Sequence, residues 1–292
     1  MNILTITYIC NMQFLKKIFD FYIFSNIHVA VAGFCITQIT VINYGIQSSF
    51  APLFVALSII ISYNFIRFYE LKTRRLKWLK DWFLKNIIGL LILNVFSAIL
   101  LIVITFFTSF NLKGLFVLIP FSIMTFFYVI PIFNVKNIEF SFRNFPSIKI
   151  FSIAFAWAGI SLFFPLYEAS IKFTFDIYLE FFQRFFLLIA ITLPFDIRDV
   201  KSDDKSLKTL PQVFGIKTAK IIGTILLFLA LFINLFKQVL NLSSIFIVIC
   251  IVTGMFLWFA SEKKSKYYAG FWVESIPILW LILQLLFLYN FK

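Results

Sequence analysis

The sequence predicts an all-α integral membrane protein, a bundle of nine transmembrane helices, and three observations carry that prediction. Of 292 residues 62% are hydrophobic and 13% charged, with a mean hydropathy of +0.98, so a soluble fold would lack the polar residues to cover its surface. Nine apolar segments have about the length that spans a bilayer as helix: residues 21–44, 50–71, 86–108, 114–133, 148–167, 177–195, 219–236, 243–260 and 271–291. With the N-terminus in the cytoplasm, twenty of the 26 Lys and Arg fall in cytoplasmic segments and four on the other side. A missed or surplus helix would scramble that alternation. The expectation is one membrane domain over residues 1–292, in a bacterial inner membrane, with its C-terminus opposite its N-terminus.

Taken in order, the first segment follows Lys16 and Lys17 and is not succeeded by a small-residue cleavage site, so it reads as a retained helix. Asn26 and His28 stand at its cytoplasmic start. The second closes on SYNFIRFYELKTRR, where Asn64 and Arg67 lie one turn apart and Arg67 can pair with Glu70. An arginine inside a span is costly and tends to face a bundle interior, which makes Arg67 a candidate site residue. The basic run 72–85, with Trp78 and Trp82, reads as an interfacial collar. Between the fourth and fifth segments Tyr128, Pro131, Lys136 and Lys149 fall on the cytoplasmic side. In the sixth, Glu180 and Arg184 are four apart in the favourable order for a structural ion pair. Glu274, beside Trp272 near the start of the ninth, reads as interfacial. Cys10, Cys35 and Cys250 have no metal-ligand spacing and read as reduced packing residues. The net charge of +13 belongs to cytoplasmic loops rather than to nucleic-acid binding.

The stretch with most chemistry is Pro194 to Gly215, PFDIRDVKSDDKSLKTLPQVFG. It interleaves Asp196, Asp199, Asp203 and Asp204 with Arg198, Lys201, Lys205 and Lys208. At about 100° per residue, Asp199 and Asp203 lie roughly 300° and 340° round from Asp196, so a helix would put all three on one narrow face. Carboxylates so placed repel one another unless a cation sits among them. Oxygen ligands of this kind suit magnesium. The alternative is a solvated loop whose acids and bases cancel.

This run resembles the second aspartate-rich motif of the UbiA superfamily of intramembrane prenyltransferases. Its aspartates at 196, 199 and 203 are followed by Thr209-Leu210-Pro211 and Gly215. The resemblance implies a central cavity opening near the cytoplasmic face, and transfer of an isoprenyl chain from a prenyl diphosphate to a small, lipid-soluble, aromatic acceptor. It also implies magnesium as cofactor, with Asp196, Asp199 and Asp203 as ligands and Asn64 as a further oxygen ligand. Asn26, Lys149 and Lys205 are the candidates for holding diphosphate or substrate.

The first motif departs from the family. Asn64 is followed by Phe65, Ile66, Arg67, Phe68, Tyr69 and Glu70, with no aspartate before Asp81, so one metal site is expected rather than two. Three readings stay open. Catalysis persists with one magnesium, Arg67 supplying the second positive charge beside Asp196 and Asp199. Alternatively Arg67 pairs with Asp196 or Asp199 in an inactive homologue that binds a lipid or quinone. In the third, the bundle is a transporter or assembly partner on the same fold.

Overall fold

The structure, a computed structural model, describes residues 3–47, 49–73, 79–108, 111–129, 133–135, 138–140, 148–203, 207–237 and 243–290. Its helices are α1 (Ile3–Phe24), α2 (Ile27–Asn43), α3 (Ala51–Lys72), α4 (Lys80–Lys85), α5 (Ile87–Phe107), α6 (Leu115–Val129), α7 (Ile148–Glu168), α8 (Phe175–Arg198), α9 (Leu210–Phe214), α10 (Ile216–Asn234), α11 (Ser243–Phe259) and α12 (Ile276–Asn290). A π-helical turn, Tyr268–Val273, leads into α12.

Among the described residues six helices are long and apolar enough to cross a membrane, the π turn with α12 counted as one, and the bent pair 13–24 with 27–43 raises this to seven. Two shorter apolar helices, Leu112–Met124 and Ser244–Phe259, stand where the fourth and eighth segments were expected. The chain is a multi-pass, predominantly helical membrane protein. Exposed Ile88, Ile92, Phe96 and Phe106 give α5 an outer face suited to lipid rather than water.

Three expected boundaries shift. Segment 21–44 is not one helix: the chain turns by 53° between α1 and α2. Asn26 at the break has φ 67°, a left-handed conformation that asparagine tolerates better than most residues. The fourth helix is described to Val129, and residue 133 of the expected segment is already strand. Residues 133–135 and 138–140 pair instead as a short antiparallel hairpin, Phe133 opposite Phe140. Segment 271–291 begins in the π turn rather than in regular α-helix.

The main core is built by α2, α7, α8, α10, α11 and α12, and a second lies among α2, α3, α5 and α7. Close approach depends on small residues, as membrane packing requires. A Cβ at Gly159 on α7 would collide with the Phe121 ring of α6, and one at Gly223 on α10 would come within 2.6 Å of Leu193 and Leu257. These contacts hold α8 at the centre of the bundle. Its last turn carries Asp196.

Candidate functional site

The aspartate stretch is only partly helical. α8 ends at Arg198, Asp199 caps it, and Asp203 N–H donates to the Asp199 carbonyl at 2.8 Å, closing one further turn. A second turn pins this one. Gln212 Oε1 accepts from Thr209 N–H at 3.0 Å, while Gln212 Nε2 donates to the carbonyls of Asp203 (3.3 Å) and Val200 (3.4 Å). Gly215 joins α9 to α10 at φ 83°, and nothing would lie within 4 Å of an added Cβ. Glycine is needed there for its backbone angle rather than for space.

The three aspartates meet two different cations. Asp196, 1% exposed, has Lys149 Nζ at 3.0 Å from its Oδ1, and the same ammonium lies 3.0 Å from Asp203 Oδ2. Lys149 thus pairs with Asp196 through Oδ1, while Asp196 Oδ2 has no hydrogen-bond partner among the described residues. Asp199 turns to its neighbour Arg198, which donates from Nε and Nη2 to Oδ1 and Oδ2, both at 2.7 Å. A buried carboxylate with unmet acceptor capacity is costly unless a cation completes its surroundings. Among the described residues no group of three or more His, Cys, Asp or Glu is drawn together tightly enough to form a ligand cluster by itself.

These groups line a cavity of about 340 Å³. α3 contributes Arg67 and Glu70, α7 contributes Lys149, and α8 with its following turn contributes Asp196, Arg198, Asp199 and Asp203. Lys266 and Glu274 close the ring, while Ile23, Val29, Leu188 and Ile191 form apolar wall. Asn26 also faces the cavity, but Asn64 stands behind it. Asn26 Nδ2 donates to Asn64 Oδ1 at 2.9 Å, and Asn64 Nδ2 donates to the Ser25 carbonyl at 3.3 Å. Asn64 therefore braces the α1–α2 break rather than lining the site.

Arg67 does not pair with Asp196 or Asp199, as one expectation had it. Its Nη1 donates to Glu70 Oε2 at 3.2 Å, and the i,i+3 pair stands on the cavity wall. Lys205 lies outside the described residues, as do 74–78, Pro131, Lys136 and the side chain of Tyr128. Sequence reasoning missed Arg198 as the partner of Asp199, because adjacent residues do not share a helix face. Glu274, read from the sequence as interfacial, lines the cavity.

A second, more apolar cavity of about 280 Å³ adjoins the first, sharing Tyr63, Ile66, Ala156 and Trp157 with it. Trp157 Nε1 donates to Tyr63 Oη at 3.1 Å across the junction.

At the other end of α8 the expected pair Glu180–Arg184 is present and sealed. Arg184 Nη2 donates to Glu180 Oε1 at 2.6 Å and Nη1 to the carbonyls of Ile36 (3.2 Å) and Ser161 (3.4 Å). Glu180 Oε2 also meets Lys237 Nζ at 3.1 Å and accepts from Tyr44 Oη at 3.2 Å.

No protein-family model and no curated protein matches the sequence. The fold has a counterpart among solved structures, a UbiA homologue from Archaeoglobus fulgidus bound to GPP and Mg2+. The TM-score is 0.60 and the identity 16%, over 88% of this chain and 97% of that one. The chain has a UbiA-like fold.

Proposed function

We propose that the protein binds a prenyl diphosphate at the cytoplasmic end of a nine-helix bundle and transfers its isoprenyl chain to a small, lipid-soluble aromatic acceptor. The observation that carries this reading is a single cavity joining Asp196, Asp199 and Asp203 to Lys149, Arg67 and Arg198 above apolar walls. The solved structure of similar fold was bound to GPP and Mg2+, which makes a diphosphate the first ligand to test.

Magnesium is assigned to Asp196, Asp199 and Asp203 from their spacing and from the buried Asp196 Oδ2, which has no hydrogen-bond partner among the described residues; the three are not drawn into a ligand cluster, and Lys149 and Arg198 hold them now. These three would hold the ion, which when bound neutralises charge on the diphosphate oxygens. Lys149, Arg67 and Arg198 present further positive charge to the phosphates, the two arginines as planar forks. Lys205 is assigned the same role from its place in the motif. Electrostatic help of this kind lowers the cost of breaking the allylic carbon–oxygen bond, with the electron pair leaving on the diphosphate. The apolar walls keep water from the allylic cation, and the Trp157 and Phe195 rings that line the cavity offer it π faces. The adjoining apolar cavity provides room for hydrocarbon.

One observation favours a second reading. The Lys149 ammonium already bridges Asp196 and Asp203, a tethered cation where an ion would bind, as in a homologue that holds a lipid or quinone without turnover. Purified protein incubated with magnesium, labelled geranyl diphosphate and a panel of phenols and quinols separates the two. Prenylated product above an Asp199→Ala control supports transfer. Bound lipid with no product supports the second reading.

A further inference from the structure

The cavity contains five carboxylates, and four have named partners: Glu70 with Arg67, Asp196 and Asp203 with Lys149, and Asp199 with Arg198. The fifth is Glu274. No hydrogen bond or close ion pair is formed by its carboxylate among the described residues, and the Arg198 charge, already engaged by Asp199, reaches it only at longer range in the cavity they share. Other groups in this region that can take a proton are engaged. His28 meets Tyr22 Oη at 2.9 Å and the Phe271 carbonyl at 3.0 Å, and Tyr63 Oη accepts from Trp157.

The backbone at Glu274 is unusual in a related way. Its N–H donates to the Ala269 carbonyl at 3.2 Å, a five-residue spacing that closes the π turn Tyr268–Val273. One extra residue in a turn rotates the succeeding side chains by about 100° relative to a continuous α-helix, and such turns recur at functional sites. Pro277, one turn further on, lines the cavity as well. The chain thus gives up regular helix at the point where it brings a carboxylate to the cavity.

We propose that Glu274 is the proton acceptor for the second substrate, whose chemical class is a phenol or similar hydroxyl-bearing aromatic. This rests on the transfer reading above. As the carbon–oxygen bond to diphosphate breaks and its electron pair leaves with the diphosphate, the acceptor's hydroxyl oxygen bonds to the allylic carbon and its O–H bond breaks. That proton passes to the Glu274 carboxylate and then to water at the cavity mouth. An acceptor that lacks an ionisable proton would not use this group.

The test uses the full-length protein in lipid nanodiscs and separates binding from transfer. Labelled geranyl diphosphate with magnesium is the binding probe, and a panel of phenols matched with their methyl ethers is the acceptor probe. The expected result is that Glu274→Gln binds geranyl diphosphate as wild type does, yet loses about a hundredfold in phenol prenylation. Glu274→Asp should recover part of that loss, and the methyl ethers should be inert with every variant. Wild-type turnover by Glu274→Gln overturns the proposal, as does geranyl diphosphate binding with no phenol of the panel prenylated by the wild type. Absence of geranyl diphosphate binding in the wild type overturns the transfer reading itself. Should Glu274→Gln fail to fold, the methyl-ether comparison in wild type decides: equal turnover of phenol and ether overturns the proposal.

Discussion

The two ends of α8 carry the same kinds of residue in opposite circumstances. Glu180, Arg184 and Lys237 at one end line neither of the two cavities described above and are tied by hydrogen bonds and ion pairs that reach α2, α7 and α8. Asp196, twelve residues beyond Arg184 or about 18 Å further along, is as deeply buried, yet a cavity opens beside it. Charge inside a membrane protein is thus not diagnostic by itself. What distinguishes the two ends is access: the cavity reaches Asp196, whereas Glu180 and Arg184 are not among its lining residues.

That contrast can be broken most severely at its closed end. Arg184→Met should cost about 3–5 kcal/mol of stability by leaving Glu180 buried with one partner fewer, read as a fall in thermal midpoint in detergent. Geranyl diphosphate affinity of the molecules that remain folded should be unchanged. The reciprocal change, Asp196→Asn, should leave the midpoint near wild type while lowering transfer by about 10²–10³-fold. A large stability loss there would make Asp196 a brace like Glu180. Lys149→Met removes the resident ammonium and should let magnesium stabilise the variant more than wild type. The gain would be about 2.7 kcal/mol when the ion is at about a hundred times its Kd. Equal magnesium responses would show that lysine and metal do not share a position.

The smallest effect is expected where α1 meets the turn before α12. Tyr267 Oη donates to Asp20 Oδ1 at 2.5 Å, and Tyr267→Phe should cost about 1 kcal/mol. Burial, with Asp20 beside it, pushes the Tyr267 phenol up to about 12 from its ordinary 10. Because the folded state keeps the proton longer than the unfolded one, this contribution is complete below pH 10. It is lost as pH rises towards 12, which unfolding midpoints across that range would register in wild type but not in Tyr267→Phe.

Much of the molecule was legible in the chain itself. Segment lengths and the distribution of basic residues pointed to the helical membrane architecture, and the spacing of Asp196, Asp199 and Asp203 singled out the stretch that the cavity contains. Arg67, Lys149 and Asn26, far apart in sequence, were chosen from their places at helix ends and do line that cavity. The break at Ser25–Asn26 was not legible, because the apolar run continues through it and the signal is a backbone angle. Asn64 was read as a ligand because hydrogen bonding to another asparagine leaves no spacing pattern. That Glu274 lines the cavity was not legible, because hydropathy around Trp272 resembles any interface and a π turn that re-aims one residue has no composition of its own.

The Tyr267–Asp20 bond sits beside Lys266, whose ammonium lies 4.4 Å from the centre of the Phe24 ring, and near the hydrogen bond from His28 to the Phe271 carbonyl. Together they fasten the first two helices to the last span. A ribosome delivers the first helices to the bilayer long before the last, so for most of synthesis Asp20 lacks Tyr267 and His28 has Tyr22 but not the Phe271 carbonyl to meet. Contacts of such sequence separation form late because the intervening chain must already be in place. The cavity wall that carries Glu274 is therefore the last to be installed, and a polypeptide stalled short of residue 268 would present the aspartates in an open trough.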